Sequence, residues 1–326
     1  MSKMIEQTTL TMYSDKKSNK LLPIHGEKRL SFSQMIKKVE ERPWKTGEFQ
    51  MQNWGNWLHH MSAYVGKLKP GMAHWLIRVS TIPGDTILDP FSGIGTVPLE
   101  ADLMGRKGIG IDLNPYAAAI SRAKFDRKPM SERIEYLKNL KLDTESIKTR
   151  DISPFIKQYF HEKTLKEIFA LKKILIDEKQ DFLLGCLIGI LHGHRPGHLS
   201  ATTSLVIPFI PKTKAEYREV IPRMIEKTKR MYRNEFSLKT KGKIYEKDSR
   251  NKVLNNDTVD AVISSPPYYN TLNYVTDNRL RIAFLGYDED SRSELGDKLI
   301  QHRVDYLEDM KKVGKRLRDC IKPNGY

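Results

Sequence analysis

Cysteine is scarce: Cys186 and Cys320 are the only two in 326 residues. Two thiols cannot build a disulfide framework, and they fit a reducing cytosol. Long hydrophobic runs are missing as well. The longest, Phe182 to Leu191, falls well short of the roughly 18 apolar residues that a membrane span needs. The N-terminal MSKMIEQTTL lacks the apolar stretch of a secretion signal. Acidic charge is in deficit, with 40 Asp and Glu against 56 Lys and Arg and a net charge of +16. No repeat or low-complexity tract points to a fibrous, mucin-like or coiled-coil chain. What is present, 39% hydrophobic and 29% charged residues, can bury a core. At about 150 residues per domain the length allows two domains, or one with a large insertion. A soluble, cytoplasmic, basic α/β protein is expected.

The positive charge is concentrated. Arg122 to Arg250 holds 29 basic and 17 acidic residues, and Arg195 to Lys247 alone holds 13 basic and 5 acidic. A local excess of this kind is the footprint of a phosphate-backbone partner, although a solvated helix face carries similar charge. Charge alone names no activity.

Along the chain, residues 1–50 are polar and weakly patterned, an N-terminal extension with no strong element predicted. Residues 51–128 contain a predicted helix at Pro70–Val79, a strand at Thr86–Leu88 and a glycine-containing loop. A helix from Val97 to about Met104 and a strand at Gly108–Ile111 follow. Asn114 has the character of a helix N-cap, with Pro115 at the first helical position, where a missing N–H costs nothing. Strand, loop, helix, strand and helix in about 40 residues read as a parallel, doubly wound unit. Residues 129–242 read as a basic helical insertion, including a buried helix at Phe182–Leu191 and a basic amphipathic stretch from Lys214 to Asn234. Strand character returns at Lys243–Glu246 and Val259–Ile263, within a final segment 243–326. The insertion interrupts one sheet and is not a separate domain.

In Asp89-Pro90-Phe91-Ser92-Gly93-Ile94-Gly95-Thr96 the first strand turns into the first helix. Two glycines let a backbone approach a ligand, and the helix N-terminus behind them favours an anion. A dinucleotide fingerprint has a third glycine three residues on, where this chain has Pro98, so a pyrophosphate ligand is disfavoured. Asp112, ending the second strand, can accept hydrogen bonds from both ribose hydroxyls. A nucleoside with one small anionic tail fits both features, and S-adenosylmethionine is such a molecule.

A second constellation, Ser264-Ser265-Pro266-Pro267-Tyr268-Tyr269-Asn270, follows the last strand. Consecutive prolines lock an extended turn and expose the Pro266 carbonyl. That carbonyl and the Ser265 hydroxyl can accept hydrogen bonds from an amino group, and Tyr268 offers a face on which a base can stack. The lone pair of a base's exocyclic amine is delocalised into the ring. Two acceptors holding its protons rehybridise the nitrogen and aim it at a methyl donor. A base in a duplex must first be flipped out to reach such a turn.

Together, Asp-Pro-Phe-x-Gly-x-Gly-Thr, Gly110-Ile111-Asp112 and Ser-Pro-Pro-Tyr resemble the amino-group DNA methyltransferases, which modify cytosine N4 or adenine N6. The resemblance implies a Rossmann-like class I methyltransferase sheet and S-adenosyl-L-methionine as cofactor. Ser265, Pro266, Pro267 and Tyr268 would form the catalytic turn, and the serine favours cytosine N4. Asp89, Phe91, Gly93, Gly95 and Thr96 would line the methionine end, Asp112 would hold the ribose, and Asp248 would sit at the adenine. Tyr64 and Lys67 would contribute from the preceding segment His59–Lys69. The match covers residues 57–125 and 243–326, and double-stranded DNA is the implied partner.

In one arrangement of that family an insertion such as 129–242 recognises the target sequence. The chain stops at Lys322-Pro323-Asn324-Gly325-Tyr326, where the family's fifth strand would begin. Four strands are predicted, with the fourth left at a bare sheet edge, which folded proteins cover. A truncated chain, or half of a split enzyme completed by a second polypeptide, is therefore expected.

His192, His194, His198 and Cys186 lack the tight spacing of structural zinc ligands, and no metal is expected. In the turn around them, Arg195, Ser200, Thr202 and Thr203 are donors suited to DNA phosphates. Neither cysteine follows a proline, which excludes a cytosine-C5 mechanism. Two alternatives stay open: an adenine-N6 or tRNA base methyltransferase, and a cofactor- and DNA-binding subunit inactive alone.

Overall fold

Four strands, β1 (Thr86–Asp89), β2 (Lys107–Asp112), β3 (Lys243–Glu246) and β4 (Ala261–Val262), form one sheet in the order β3-β2-β1-β4. Every pairing is parallel. This computed structural model describes residues 30–46, 48–51, 54–126, 128–193, 197–201, 211, 214–234, 242–301 and 305–326. β1 is central and its Ile87 and Leu88 are buried, as a strand covered on both faces requires. From β1 the chain runs outward to β2 and β3, and β4 then returns to the other side of β1. Strand order thus reverses at β1, and in open α/β sheets the crevice outside the strand C-termini at such a point is where ligands bind.

Helix α1 (Phe32–Glu40) lies where no element was predicted. Its signal was legible: the Ser31 side chain accepts from the Gln34 amide while the Gln34 side chain accepts from the Ser31 amide, a complete capping box. Helices α2 (Pro70–Ser80), α3 (Thr96–Leu103) and α4 (Pro115–Ala123) match the expected pattern, and the Asn114 side chain caps α4 by accepting from the Tyr116 and Ala117 amides. The close helix–strand approach that a third loop glycine normally permits is provided here by the strand. A Cβ on Gly108 of β2 would meet the Pro98 carbonyl oxygen of α3 at 2.1 Å. Gly108→Ala should therefore destabilise the protein by about 3 kcal/mol, the upper range for overpacking. Urea unfolding checks this, and an unchanged midpoint would contradict the tight α3–β2 contact.

Between β2 and β3 come α5 (Met130–Asn139), α6 (Glu162–Asp177), α7 (Asp181–Leu191) and α8 (Val220–Met231). Within the basic amphipathic stretch Lys214–Asn234 the helix is α8, with Pro222 in its first turn, where proline is tolerated. Leu183 and Leu187 of α7 and Met224 of α8 share one core cluster with Leu58, Met61, Ile94 and Ile120. The inserted helices thus pack directly on the segments around the glycine loop.

After β4 come α9 (Arg279–Leu285), α10 (Glu289–Lys298) and α11 (Tyr306–Cys320). The sheet edge expected to be bare is paired. The Val259 amide donates to Cys320, the Lys322 amide to Val259, the Tyr326 amide to Asp260 and the Val262 amide to Tyr326. The chain's own residues 320–326 run beside β4. Among the described residues no helix is long and apolar enough to cross a membrane.

Candidate active site

A cleft opens at the C-terminal ends of β1 and β4, where the strand order reverses. Its floor is the glycine loop. Gly95 (φ +74°) caps α3, and a Cβ there would meet the Ser121 hydroxyl at 2.1 Å, so only glycine lets the turn lie against α4. Gly95 itself sits behind the cleft, whereas Asp89, Phe91, Gly93 and Thr96 line it.

Asp112, at the end of β2, fixes the loop. Its Oδ2 accepts from the Gly93 amide at 2.7 Å and its Oδ1 from the Asn114 amide at 2.8 Å. Asp89, at the end of β1, accepts from the Phe91 amide at 3.1 Å. Burial pushes the Asp89 carboxyl up to about 7 and that of Asp112 up to about 6, against the hydrogen bonds each accepts. Two carboxyls so raised favour an occupant that carries positive charge.

The Ser-Pro-Pro-Tyr turn stands over the same floor. The Ser264 hydroxyl donates to Asp89 Oδ1 at 2.6 Å, joining the ends of β1 and β4. Ser265 and Pro267 line the cleft, while Pro266 is exposed on the turn. The Tyr306 hydroxyl donates to the Pro267 carbonyl at 3.0 Å, and the Tyr268 amide donates to the Tyr274 hydroxyl at 3.3 Å. The Tyr268 side chain, 47% exposed, lies beside Gly66 at the rim. Ser249 adds another tie across the cleft, its hydroxyl donating to the Pro90 carbonyl.

The segment before α2 forms a further wall. Tyr64 packs between Tyr116 and Tyr274, with ring centroids 5.9 and 6.0 Å away. Lys67 donates to the His59 carbonyl at 3.0 Å, and burial lowers its pKa. Beneath, the buried Glu100 of α3 receives His59 at 2.6 Å and His74 at 3.0 Å. Two imidazole N–H donors keep that carboxylate ionised, its pKa held down to about 2. The cluster anchors the wall to α2 and α3.

Tyr64, Lys67, Asp89, Phe91, Gly93, Thr96, Asp112, Asp248, Ser265 and Pro267 are thus gathered on one cleft. Asp248 lies there with its carboxylate forked by Arg250, not presented freely. Sequence reasoning missed Ser264, Tyr274, Asn114 and the Lys298–Ile300 stretch that also line or brace the cleft. Ser264 carried a signal in its place next to the turn, and Asn114 in its helix-capping position two residues after Asp112. The Ser92 hydroxyl, packed against Gly110 of β2, and Asn114 Nδ2 are buried without a hydrogen-bond partner in the structure.

The expected phosphate-binding turn fares differently. Ser200 is 0% exposed, its hydroxyl bonded to the His192 ring at 3.0 Å and donating to the Ala201 carbonyl at 3.1 Å. It is a buried structural group and cannot reach DNA from this position. Arg195, Thr202 and Thr203 lie outside the described residues. Cys186 is buried, which pushes its thiol up to about 11.

A parallel sheet with this strand order, a glycine loop on β1, an acid ending β2 and a proline turn after β4 define a Rossmann-like methyltransferase fold. Residues 6–123 match the family model described as DNA methylase, of the N6 and N4 type, so this part of the chain is similar to the amino-group DNA methyltransferases. A Type II methyltransferase, M.BsoBI of Geobacillus stearothermophilus, is 28% identical over 286 residues, 74% of this chain and 54% of its own length. M.MjaII of Methanocaldococcus jannaschii is 31% identical over 37% of this chain and 24% of its own length. A tRNA (guanine(10)-N2)-dimethyltransferase of Methanothermobacter thermautotrophicus is 40% identical over 52 residues, 16% of either chain. The chain spans about half the length of M.BsoBI and less of the others. The family uses S-adenosylmethionine as methyl donor.

Proposed function

We propose that this protein transfers a methyl group from S-adenosylmethionine to the exocyclic amine of a DNA base flipped from the duplex, with cytosine N4 the favoured target. The observation that carries this is the Ser264–Asp89 hydrogen bond, which holds the proline turn over the glycine loop. When bound, S-adenosylmethionine supplies the methyl group. Asp112 would receive the ribose hydroxyls, and the glycine loop, through Phe91, Gly93 and Thr96, would lie against the methionine end. Tyr64 and Lys67 close the side wall, while Asp89 and Asp112 supply the negative field that suits a sulfonium. Ser265 and the Pro266 carbonyl accept the hydrogens of the target amine, and Tyr268 stacks on the base. Tyr306 binds the carbonyl one residue further on and so stiffens the turn. Ser265 at the head of the motif favours cytosine N4 over adenine N6. The enzyme would act in the cytoplasm, where its DNA lies.

For the DNA backbone we assign the open groove beside α8, bordered by Arg223, Lys229, Arg230 and Arg233. Arg233 lies over the Trp57 ring at 4.8 Å, and Lys227 donates to the His60 carbonyl at 3.0 Å, so the groove adjoins the segment leading to Tyr64. Replacing Arg223 and Arg233 with alanine should weaken binding to any duplex and lower the salt slope by about one per phosphate contact removed. Titrations at several salt concentrations check this, and a slope equal to that of the parent protein would remove the groove from the DNA path.

Nucleoside mass spectrometry of DNA from an expressing host tests the activity, and N4-methylcytosine is the expected product. N6-methyladenine would retain the family and change the base. Labelled methyl entering tRNA and not DNA would overturn the DNA assignment in favour of the RNA alternative.

A further inference from the structure

Arg250 follows β3 by four residues and joins three parts of the chain. Its backbone amide and Nε donate to Asp248 Oδ1 at 2.9 and 3.0 Å, and its Nη2 donates to Oδ2 at 2.6 Å. Nη2 also donates to the Lys298 carbonyl at 2.7 Å, while Nη1 reaches the Asp309 carboxylate of α11. Arg316 of α11 donates back to the Arg250 carbonyl at 3.3 Å. The Arg250 side chain is 21% exposed, so solvent competes only in part for these contacts. Lys298, Leu299 and Ile300, the stretch held by the Lys298 contact, line the same cleft as Asp248 and Asp112.

We propose that Arg250 is a positioning residue for the nucleoside end of the cofactor, an inference that rests on the cofactor reading above. Arg250 takes up the carboxylate that sequence reasoning gave to the adenine and ties it to the Lys298–Ile300 stretch. Leu299 and Ile300 then present a fixed apolar surface to the base. Recognition at this end comes from a wall whose shape Arg250 sets, more than from a free carboxylate. A planar fork is required, because a lysine reaches only one of these partners at a time.

The test uses the full chain. In Arg250→Met the dissociation constant for S-adenosylmethionine, measured by calorimetry, should rise about tenfold or more, the scale of a lost charge-assisted contact. Amide hydrogen exchange at residues 298–301 should quicken even without ligand. Arg250→Lys should fall between parent and Met variant in both measurements. Asp309→Asn, which leaves Asp248 and the cleft lining unaltered, should shift both in the same direction by less, and it serves if the Met variant does not fold. Parent-like affinity in these variants, or unchanged exchange at 298–301, overturns the proposal. A parent protein that fails to bind S-adenosylmethionine sinks the cofactor reading and this role with it. Quickened exchange beside parent-like affinity sinks this role alone.

Discussion

Ser265→Ala or Tyr268→Ala should lower methyl transfer by about 10²–10³-fold, the range seen when a positioned hydrogen-bonding group is removed from a reaction centre. Cofactor affinity should hardly change. Ser265 lies on the turn after β4, while the loop expected to hold the cofactor is organised by Gly95 and Asp112. Tyr268 is half exposed at the rim, and its loss removes a stacking face worth about 1–3 kcal/mol to an unpaired base. The two variants should differ in one respect. Tyr268→Ala should weaken binding of a duplex with a mismatched target base, whereas Ser265→Ala should leave it unaltered. Calorimetry with cofactor alone and single-turnover transfer with saturating DNA separate the steps. Equal losses in affinity and rate would contradict the division of labour between turn and loop.

Cofactor binding should depend on pH in a direction fixed by burial. The Asp89 and Asp112 carboxyls, normally near 3.8, are pushed up to about 7 and about 6. The folded protein therefore keeps protons that the unfolded chain releases near pH 4. Each group's contribution is fully present below that pH and is lost as the pH climbs through its folded value. A cation in the cleft reverses the preference, because it is held best by ionised carboxylates. Affinity for S-adenosylmethionine should thus rise by about tenfold between pH 5.5 and 7.5, with protons released on binding. Titrations in buffers of differing ionisation enthalpy measure that release directly. Asp112→Asn should flatten the lower part of the profile, and Asp112→Ala should also untie the Gly93 amide and weaken binding at every pH. A parent affinity independent of pH over this range would show that neither carboxyl faces the charged part of the ligand.

The legible parts of the site are those where backbone geometry dictates residue type. Gly95 must be glycine because Ser121 occupies its Cβ position, and Asn114-Pro115 begins a helix because each residue does one thing well at a helix start. Asp112 and the proline pair carry their roles in the same local way. The contacts made by Ser264, Tyr274 and Arg250 were hidden because the partners lie far along the chain. Ser264 meets Asp89 across 175 positions, and Arg250 meets Lys298 and Asp309 across 48 and 59. No local pattern encodes such meetings. The covered edge of β4 was missed for a related reason, since strand prediction ends where a chain pairs without regular strand geometry. Ser200 was misjudged because a hydroxyl in a polar turn looks the same in sequence whether it faces water or a buried histidine.

The placement of α5 to α8 between two neighbouring strands also governs how the molecule comes together. β2 must wait for β3, about 130 residues later, and β1 for β4, about 170 residues later, so both cleft-forming pairings close very long loops. Such non-local pairings form late and slowly. During synthesis the glycine loop emerges well before Ser264 exists to brace it, and the helices of the middle segment have time to collapse onto α4 first. Ligand-binding competence should appear as the last event of folding, after most helical signal has been regained.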